Sequence, residues 1–357
     1  MPNPIKSIKK NPELYQALLA EHGVTKSFLG LRSERVLPAS QLENITRLNL
    51  KNVSSLDGIE HLPNLSELTC QIDRKIDFDS YCRGFAHPSL ETANLYISTP
   101  RALQGEDMSL LPATVAIRDS QDILNPPLKP SEIKLMNDAL DEIKASVTPD
   151  GCEHTRVQQI YQALGNMLEY DDDAVGSFGG RSRSLQAALV DRKAMCTAYS
   201  RAFEIACGDN GIEAVSKGGH AYGPSEIAQN GGVKPEPKNE IGDHQWSQVK
   251  VNGEWYNCDL TFDSASDKEA FRNGKMEYFL CSDEKLQRTH TPLADDKHHP
   301  CTSTKYDSPK QPMSQQMQQA HDAAPAITPQ TPQLGQNMAT PTVAPPVAPP
   351  AGSGTCL

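Results

Sequence analysis

The chain of 357 residues lacks any apolar run of the length that spans a membrane, and its first residues, MPNPIKSIKKNPELY, lack the apolar core of a signal peptide. It also lacks a surplus of basic residues, because 34 Lys and Arg stand against 45 Asp and Glu for a net charge of −11. An acidic chain is a poor match to nucleic acid as the principal partner. These absences predict a protein that is cytoplasmic where it is made, with no membrane span and no nucleic-acid partner.

Patterns typical of disulfides and metal sites are missing as well. The nine cysteines are odd in number and include no Cys-x-x-Cys pair, which favours free thiols in a reducing cytoplasm. Cys281, His290, His298, His299 and Cys301 follow one another closely, but their spacing matches no usual zinc pattern. We therefore expect neither a metal nor another cofactor.

The sequence does contain a strong hairpin signal. Asn252-Gly253 is the dipeptide most typical of a two-residue type I′ turn, and it separates HQWSQVKV from EWYNCDL. Both segments have the length of a strand and are rich in β-branched and aromatic residues. If Val251 and Glu254 flank the turn, the numbers of paired residues sum to 505.

This register brings a histidine close to a carboxylate. Trp246 lies opposite Asp259 and His244 opposite Thr261, so that His244 and Asp259 are diagonal neighbours on one face of the hairpin. Their backbones would be about 7–8 Å apart, within reach of an imidazole that is bonded to a carboxylate. A slip of one residue would place the two side chains on opposite faces.

A cysteine at a predicted helix start supplies a third reactive group. The segment RKAMCTAYSRAFEIACGDNGIEA has apolar residues at the spacing of one buried helix face, with Cys196 in the first turn. These apolar positions are Met195, Tyr199, Ala202, Phe203 and Ala206. The unpaired N–H groups at a helix start and a nearby imidazolium both favour the thiolate, the form of cysteine that attacks. Cys196, His244 and Asp259 are the three groups that thiol-based acyl transfer requires.

The segments that carry these groups resemble the bacterial branch of the transglutaminase-like superfamily. That branch has a Cys-x-x-Tyr-x-x-x-Phe helix, a His-x-Trp strand, a Gly-x-Trp-Tyr-x-x-Asp-x-Thr strand and a Tyr-Phe-Leu-x-Ser-Asp segment. The same order occurs here in MCTAYSRAFEIACGDNGIEA, DHQWSQVKVNGEWYNCDLTFDS and MEYFLCSDEKLQRTH, within about residues 150 to 300. The resemblance implies that Cys196 is the nucleophile, His244 the general base and Asp259 the acid that orients the base.

The resemblance also implies the fold class. It predicts an α+β domain related to papain-like proteases, in which the helix that carries the thiol packs on an antiparallel sheet. The sequence departs from the family pattern at Ser247 and Phe262, where the family usually has an asparagine and a tryptophan. Neither position supplies a group that the chemistry needs.

Four further residues near these motifs are candidates for supporting roles. Gln186, ten residues before Cys196, is a candidate donor to the oxyanion by analogy with related thiol enzymes, and a solvated surface residue is the alternative. Trp246 and Trp255 are predicted to form the core and the wall of the cleft. His220 is a rival base, but we expect it to lack an acid on a paired strand.

The first third of the chain shows an internal repeat of 20 residues. LENITRLNLKNVSSLDGIEH aligns with LPNLSELTCQIDRKIDF, HPSLETANLYI repeats the apolar positions, and LPATVAIRD is a degraded fourth copy. The aligned positions are Leu42, Ile45, Leu48 and Leu50, then Leu62, Leu65, Leu68 and Cys70, then Leu90, Ala93 and Leu95. The pattern resembles a short leucine-rich-repeat array, an α/β arrangement that usually binds protein. An amphipathic helix or a plain β-meander is the alternative.

These patterns divide the chain into four segments. Residues 1–40 contain a capping helix, 41–125 the leucine-rich-repeat-like array and 130–302 the transglutaminase-like catalytic domain. Residues 303–357 are rich in Pro, Gln and Ala and hold ten of the 27 prolines, so we expect this tail to be disordered. Helices with apolar faces near the start of the catalytic domain are expected to pack on its sheet.

The predicted function is thiol-dependent acyl transfer on a protein substrate that the repeats recognise. Transglutamination, glutamine deamidation and proteolysis all stay open, because the outcome depends on whether water or a lysine amine attacks the thioester that forms on the cysteine. The alternative from another class is a non-catalytic interaction scaffold with a vestigial triad. A bacterial effector that is exported without a cleavable signal peptide is compatible with this architecture.

Overall fold

The computed structural model describes residues 4–28, 32–120, 126–175, 180–237, 240–294 and 296–307. Within these residues, helices alternate with strands that form two sheets of four strands and two of two strands. Most of the tail that was predicted to be disordered, from residue 308 onward, lies outside the described residues. In the described part of the chain, no helix combines the length and the apolar character that crossing a membrane requires.

The N-terminal segment contains more than the predicted capping helix. Its elements are α1 (Pro4–Ile8), α2 (Pro12–His22), β1 (Val24–Phe28), β2 (Arg32–Val36) and α3 (Ala39–Leu42). Asn11 caps α2, because its side-chain oxygen accepts a hydrogen bond from the N–H of Leu14 at 3.2 Å. The antiparallel pair of β1 and β2 was not predicted from the sequence.

Four parallel strands follow, hydrogen-bonded in the order in which they occur in the chain. They are β3 (Arg47–Lys51), β4 (Glu67–Ile72), β5 (Thr92–Ile97) and β6 (Val115–Asp119). Leu48 pairs with Leu68, Leu68 with Ala93 and Ala93 with Val115, so the positions aligned in the sequence are neighbours across the sheet. The three spacings are 20, 25 and 22 residues rather than a uniform 20. Helix α4 (Phe78–Phe85) occupies the longest connection.

The remaining elements surround an antiparallel sheet. The helices are α5 (Pro130–Ala145), α6 (Glu153–Met167), α7 (Cys196–Asp209), α8 (Pro224–Gln229), α9 (Leu260–Ala265), α10 (Lys268–Arg272) and α11 (Asp283–Leu286). The strands are β7 (Glu169–Tyr170), β8 (Lys193–Ala194), β9 (Ala214–Ala221), β10 (His244–Val251), β11 (Glu254–Cys258) and β12 (His290–Pro292). The sheet has the order β11, β10, β9, β12, with every pair antiparallel.

Helix α7 packs on β9 and β10, as predicted for the helix that carries the thiol. Its predicted apolar positions are all buried, which is why one face of the helix lies against the sheet. α6 packs mainly against α7 and α9, and α5 packs against α6 and a π-helix at Ala187–Asp191. The two long helices therefore pack mainly on other helices rather than on the sheet, and α6 reaches the hairpin only at its turn, where Glu153 accepts a hydrogen bond from the N–H of Asn252.

The hairpin of β10 and β11 has the predicted register. Val251 pairs with Glu254 and Ser247 with Cys258, so the sum of 505 is confirmed. Asn252 and Gly253 have φ angles of 53° and 86°, the left-handed conformations that a type I′ turn requires. The second strand ends at Cys258, earlier than predicted, because the next residue already caps α9.

One buried and one partly buried ion pair join the parallel sheet to the other elements. Asp119, at the end of β6, accepts two hydrogen bonds of 2.8 Å from the guanidinium of Arg201 on α7. Arg101, in the turn after β5, contacts Asp209 at the end of α7 at 2.7 Å. Both contacts tie the parallel sheet to the helix that begins with Cys196.

Candidate active site

The three side chains that the sequence singled out form one connected group. Cys196 is the first residue of α7, its thiol lies beside His244, and it is 2% exposed. Nε2 of His244 lies 2.6 Å from Oδ2 of Asp259. This contact leaves Nδ1 as the ring nitrogen that can face the thiol.

Local structure fixes the acid at the end of the hairpin. Asp259 is fully buried and caps α9, where its Oδ1 accepts a hydrogen bond from the N–H of Phe262 at 2.9 Å. Its own N–H donates to the carbonyl of Tyr278 at 3.1 Å. These bonds leave Oδ2 to face His244.

The electrostatics of the group favour a thiolate beside an imidazolium. Burial opposes the charge on His244, but the charge of Asp259 and its hydrogen bond outweigh burial and raise the pKa of His244 to about 10. Burial likewise disfavours a charged Asp259, yet His244 and a second histidine hold the pKa of that carboxyl below its usual range. Burial would also raise the pKa of Cys196, but the hydrogen bond to His244 and its charge lower it.

The pKa of each other described cysteine with a resolved shift moves in the opposite direction to that of Cys196. Burial raises the pKa of each of them, and none has an imidazolium among the causes of its shift. They are Cys70, Cys82, Cys207, Cys258, Cys281 and Cys301. Cys196 is therefore distinguished by its neighbours, since several of the others are equally buried.

His290 joins the group, and sequence reasoning missed it. Its Nε2 lies 2.9 Å from Oδ2 of Asp259, the oxygen that also contacts His244. Phe262, one of the two departures from the family pattern, packs on both histidines at ring distances of 5.0 and 4.9 Å. The available signal was that the segment MEYFLCSDEKLQRTH, which carries the resemblance, ends at His290.

The supporting residues predicted from the sequence lie in different places. The amide of Gln186 is buried and donates to Glu132 of α5 at 3.1 Å, so a solvated surface position does not describe it. Trp246 is 1% exposed and is a core residue whose ring is nearly parallel to that of His244. Trp255 stacks on His299 at a ring distance of 3.8 Å, near the turn of the hairpin. Because it lies four residues before Asp259, about 13 Å along a strand, we do not assign it to the wall of this site.

His220 corrects one expectation. It is a buried residue of β9, and its Nδ1 lies 3.3 Å from Oδ2 of Asp243, just before the paired strand β10. His220 therefore has the carboxylate partner that it was expected to lack. The thiol of Cys196, however, interacts with His244, and this interaction supports the preference for His244 as the base.

Two sets of potential metal donors occur in the described residues. His244, Asp259 and His290 form one set, but both Nε2 atoms face the carboxylate, so their hydrogens occupy the space between the donors. Asp283, His298 and Cys301 form the other set, with donor atoms within 4.8 Å of one another.

The amide nitrogen of Gln248 lies inside the second set. It is 2.9 Å from Nε2 of His298 and 3.0 Å from Sγ of Cys301. The donors of both sets are thus engaged by protein groups. The expectation that the protein has no metal stays a prediction.

The geometry agrees with a comparison of the sequence with family models. The model of the transglutaminase-like superfamily matches residues 138–260. These residues form a transglutaminase-like domain. Cys196, His244 and Asp259 lie inside the matched range, whereas His290 and the parallel sheet lie outside it. The superfamily generally has cysteine-dependent enzyme activity.

Solved structures and curated sequences add little beyond this domain. The chain is similar to a transglutaminase structure at 18% identity and a TM-score of 0.29, over 39% of this chain and 35% of that one. It is also similar to a candidate cysteine protease from Cytophaga hutchinsonii at 16% identity and a TM-score of 0.26, over 40% and 46%. The chain thus spans less than half the length of either protein. No curated protein has a sequence that matches it.

Proposed function

We propose that this protein catalyses thiol-dependent acyl transfer on protein substrates, with Cys196 as nucleophile, His244 as base and Asp259 as the orienting acid. The observation that carries the proposal is the 2.6 Å contact between His244 and Asp259, beside a buried thiol whose pKa is lowered by His244. A nucleophile bonded to a base that is oriented by a third group is the arrangement such enzymes share.

The chemistry follows from the position of each group. The Cys196 thiolate attacks a carboxamide or peptide carbonyl, and a tetrahedral oxyanion forms. The N–H groups at the start of α7 are candidate donors to this oxyanion, with Gln186 a further candidate if its amide turns from Glu132. The His244 imidazolium gives its proton to the leaving amine, which leaves a thioester on Cys196. Asp259 stabilises the imidazolium throughout.

The thioester can be resolved in two ways. Water returns a carboxylic acid, which is deamidation of a glutamine or cleavage of a peptide. A lysine amine forms an amide, which is a crosslink. The three candidate activities, transglutaminase, glutamine deamidase and cysteine protease, share every step up to the thioester.

The parallel sheet is our candidate for the surface that recognises the protein partner, in the manner of a leucine-rich-repeat array. Its strands carry polar side chains opposite their buried face, and these line a shallow groove of about 340 Å³. The residues that line the groove are Asn49, Lys51, Thr69, Gln71, Tyr96 and Ser120, together with the buried Leu50. The buried pair of Arg201 and Asp119 would hold this groove in a fixed position relative to the thiol.

Selective alkylation tests the proposed thiolate. Iodoacetamide should label Cys196 at pH 7 at least about tenfold faster than the other free cysteines that the structure describes, since among them only Cys196 has a lowered pKa. His244→Ala should abolish this advantage, because the thiol then loses its cationic partner. His220→Ala is the matched control, since it removes a buried histidine of the neighbouring strand that also contacts an aspartate. Mass spectrometry of peptides measures the rate at each cysteine.

The scaffold with a vestigial triad is the competing function, and the 2% exposure of Cys196 is the observation that favours it. Equal and slow labelling of all cysteines would support the scaffold and reject the enzyme. To identify the reaction, the full chain and its Cys196→Ala form are incubated with a proteome. A gain of about one dalton at glutamine, a new chain terminus or a crosslink, absent with the variant, would identify deamidation, proteolysis or transglutamination.

A further inference from the structure

The carboxylate of Asp259 is shared by two imidazoles. Its Oδ2 lies 2.6 Å from Nε2 of His244 and 2.9 Å from Nε2 of His290. The two histidines pair with Gly219 and Ala221, which are two residues apart on β9. Because alternate residues of a strand share a face, both rings lie on the same face of the sheet.

The contacts of His290 indicate where its hydrogen lies. An ionised carboxylate only accepts hydrogen bonds, so Nε2 of His290 carries a hydrogen toward Asp259. The other ring nitrogen, Nδ1, lies 2.8 Å from Oγ1 of Thr289, which in turn lies 3.1 Å from the hydroxyl of Tyr278. If Tyr278 donates to Thr289 and Thr289 donates to Nδ1 of His290, each hydrogen in this series of hydrogen bonds has an acceptor. The other acceptor for the threonine hydrogen, the carbonyl of Leu286, is more distant at 3.3 Å.

The surroundings of His290 favour its neutral form. The side chain is fully buried, and burial lowers the pKa of His290 in spite of its bond to Asp259. Three aromatic rings enclose it at centroid distances of 4.9 to 5.4 Å, those of Phe262, Trp246 and Tyr278. The charged and titratable groups that face it are Asp259, His244 and Tyr278, and Nζ of Lys234 contacts its backbone carbonyl at 2.7 Å.

We propose that His290 is a positioning residue of the acyl-transfer site, a neutral imidazole that donates its Nε2–H to Asp259 and fixes the carboxylate that orients His244. Thr289 and Tyr278 hold His290 in the Nε2–H tautomer. The proposal rests on the proposed function, since His290 acts on Cys196 only through Asp259 and His244.

The pH profile of alkylation tests this role in the full chain. In His290→Phe, which has a similar shape but no donor, the rate of Cys196 labelling at pH 6 should fall about tenfold, the factor of one hydrogen bond to a charged group. The pH at which the labelling rate increases should be higher in this variant, because the negative charge of Asp259 is then less stabilised. His290→Gln keeps an N–H donor and should restore most of the rate. Thr289→Val should lower the rate, whereas Thr289→Ser, which keeps the hydroxyl, should not.

A His290→Phe protein that is folded and keeps the wild-type profile would overturn the proposal, because His290 would then only fill space. If that variant does not fold, ¹⁵N chemical shifts of the His290 ring in the unaltered protein decide. A neutral Nε2–H tautomer at pH 7 is expected, and a doubly protonated ring or an Nδ1–H tautomer would refute it. If Cys196 of the unaltered protein is labelled no faster than the other cysteines, the proposed function itself fails, which is a distinguishable result.

Discussion

Among single residues, Asp259 is the one on which the contacts of the candidate site converge. It accepts from His244 and His290 at one oxygen and from the backbone of Phe262 at the other. Because it is fully buried, its charge is not screened by water, and it acts strongly on the ring beside it. The high pKa of His244 depends on that charge. The lowered pKa of Cys196 depends on it only through His244, because the carboxylate acting directly raises the pKa of the thiol.

Removal of this charge should reverse both shifts. In Asp259→Asn, burial alone would act on His244, so its pKa should fall from about 10 and the ring should be neutral at pH 7. The thiol then loses its cationic partner, its pKa rises, and labelling of Cys196 at pH 7 should fall at least about tenfold. When the rate of Cys196 labelling is measured between pH 4 and 10, the rate should begin to rise at a higher pH than in the wild-type protein. Asp243→Asn, which alters the contact with His220, should keep the wild-type profile; equal profiles for all three proteins would refute this account.

At the scale of elements, the site depends on the close packing of α6 against α9 and α10. Gly165 of α6 faces α9 and α10, and a Cβ built there would be 2.2 Å from the ring of Phe271 and 3.0 Å from Leu260. Since α9 begins directly after Asp259, its position sets the position of the carboxylate. The absence of a side chain at Gly165 therefore contributes to the site from a distance.

Two glycine substitutions separate packing from helix propensity. Gly165→Ala should destabilise the protein by about 1–3 kcal/mol, because the added methyl group overpacks the contact with Phe271. Gly208→Ala, near the end of α7, adds a Cβ that has no other atom within 4 Å, and this change should stabilise the protein by up to about 1 kcal/mol. Urea unfolding monitored by circular dichroism measures both. A neutral or stabilising Gly165→Ala would contradict the close approach of α6 and α9.

At the scale of the whole molecule, a buried ion pair contributes to the contact between the parallel sheet and the transglutaminase-like domain, in addition to apolar packing. The pair of Arg201 and Asp119 is almost completely covered, with side chains 9% and 7% exposed. A buried pair of this kind is costly to break, because the remaining charge is left without its partner in a low dielectric. Since Arg201 lies on α7, the contact links the sheet to the helix that carries the thiol.

Breaking this pair should be far more costly than breaking a surface pair. Asp119→Ala should lower the free energy of unfolding by about 3–5 kcal/mol, because it leaves the guanidinium of Arg201 buried. Arg83→Ala removes the pair with Asp57, in which both side chains are more than half exposed, and should cost less than about 1 kcal/mol. Urea unfolding of the two variants gives the comparison. Similar losses in both would indicate that the contact between the sheet and α7 does not depend on charge.

Local patterns in the sequence determined the parts of this protein that depend on neighbours along the chain. The Asn252-Gly253 turn fixed the hairpin register, which placed His244 near Asp259, and apolar spacing placed Cys196 at the start of α7. The aligned apolar positions of the repeat became neighbours in the parallel sheet. Each of these follows from backbone geometry over a few residues or from one repeated unit.

Only the tertiary structure decided the contacts between distant segments. His290 reaches Asp259 because β12 pairs with β9 at the sheet edge, and that pairing has no local signal as strong as a two-residue turn. The same holds for the engagement of Gln186 by Glu132 and for the pair of Arg201 and Asp119 across 82 residues. Such contacts form where separately folded elements meet, so their partners are set by the packing of the whole chain rather than by spacing within it.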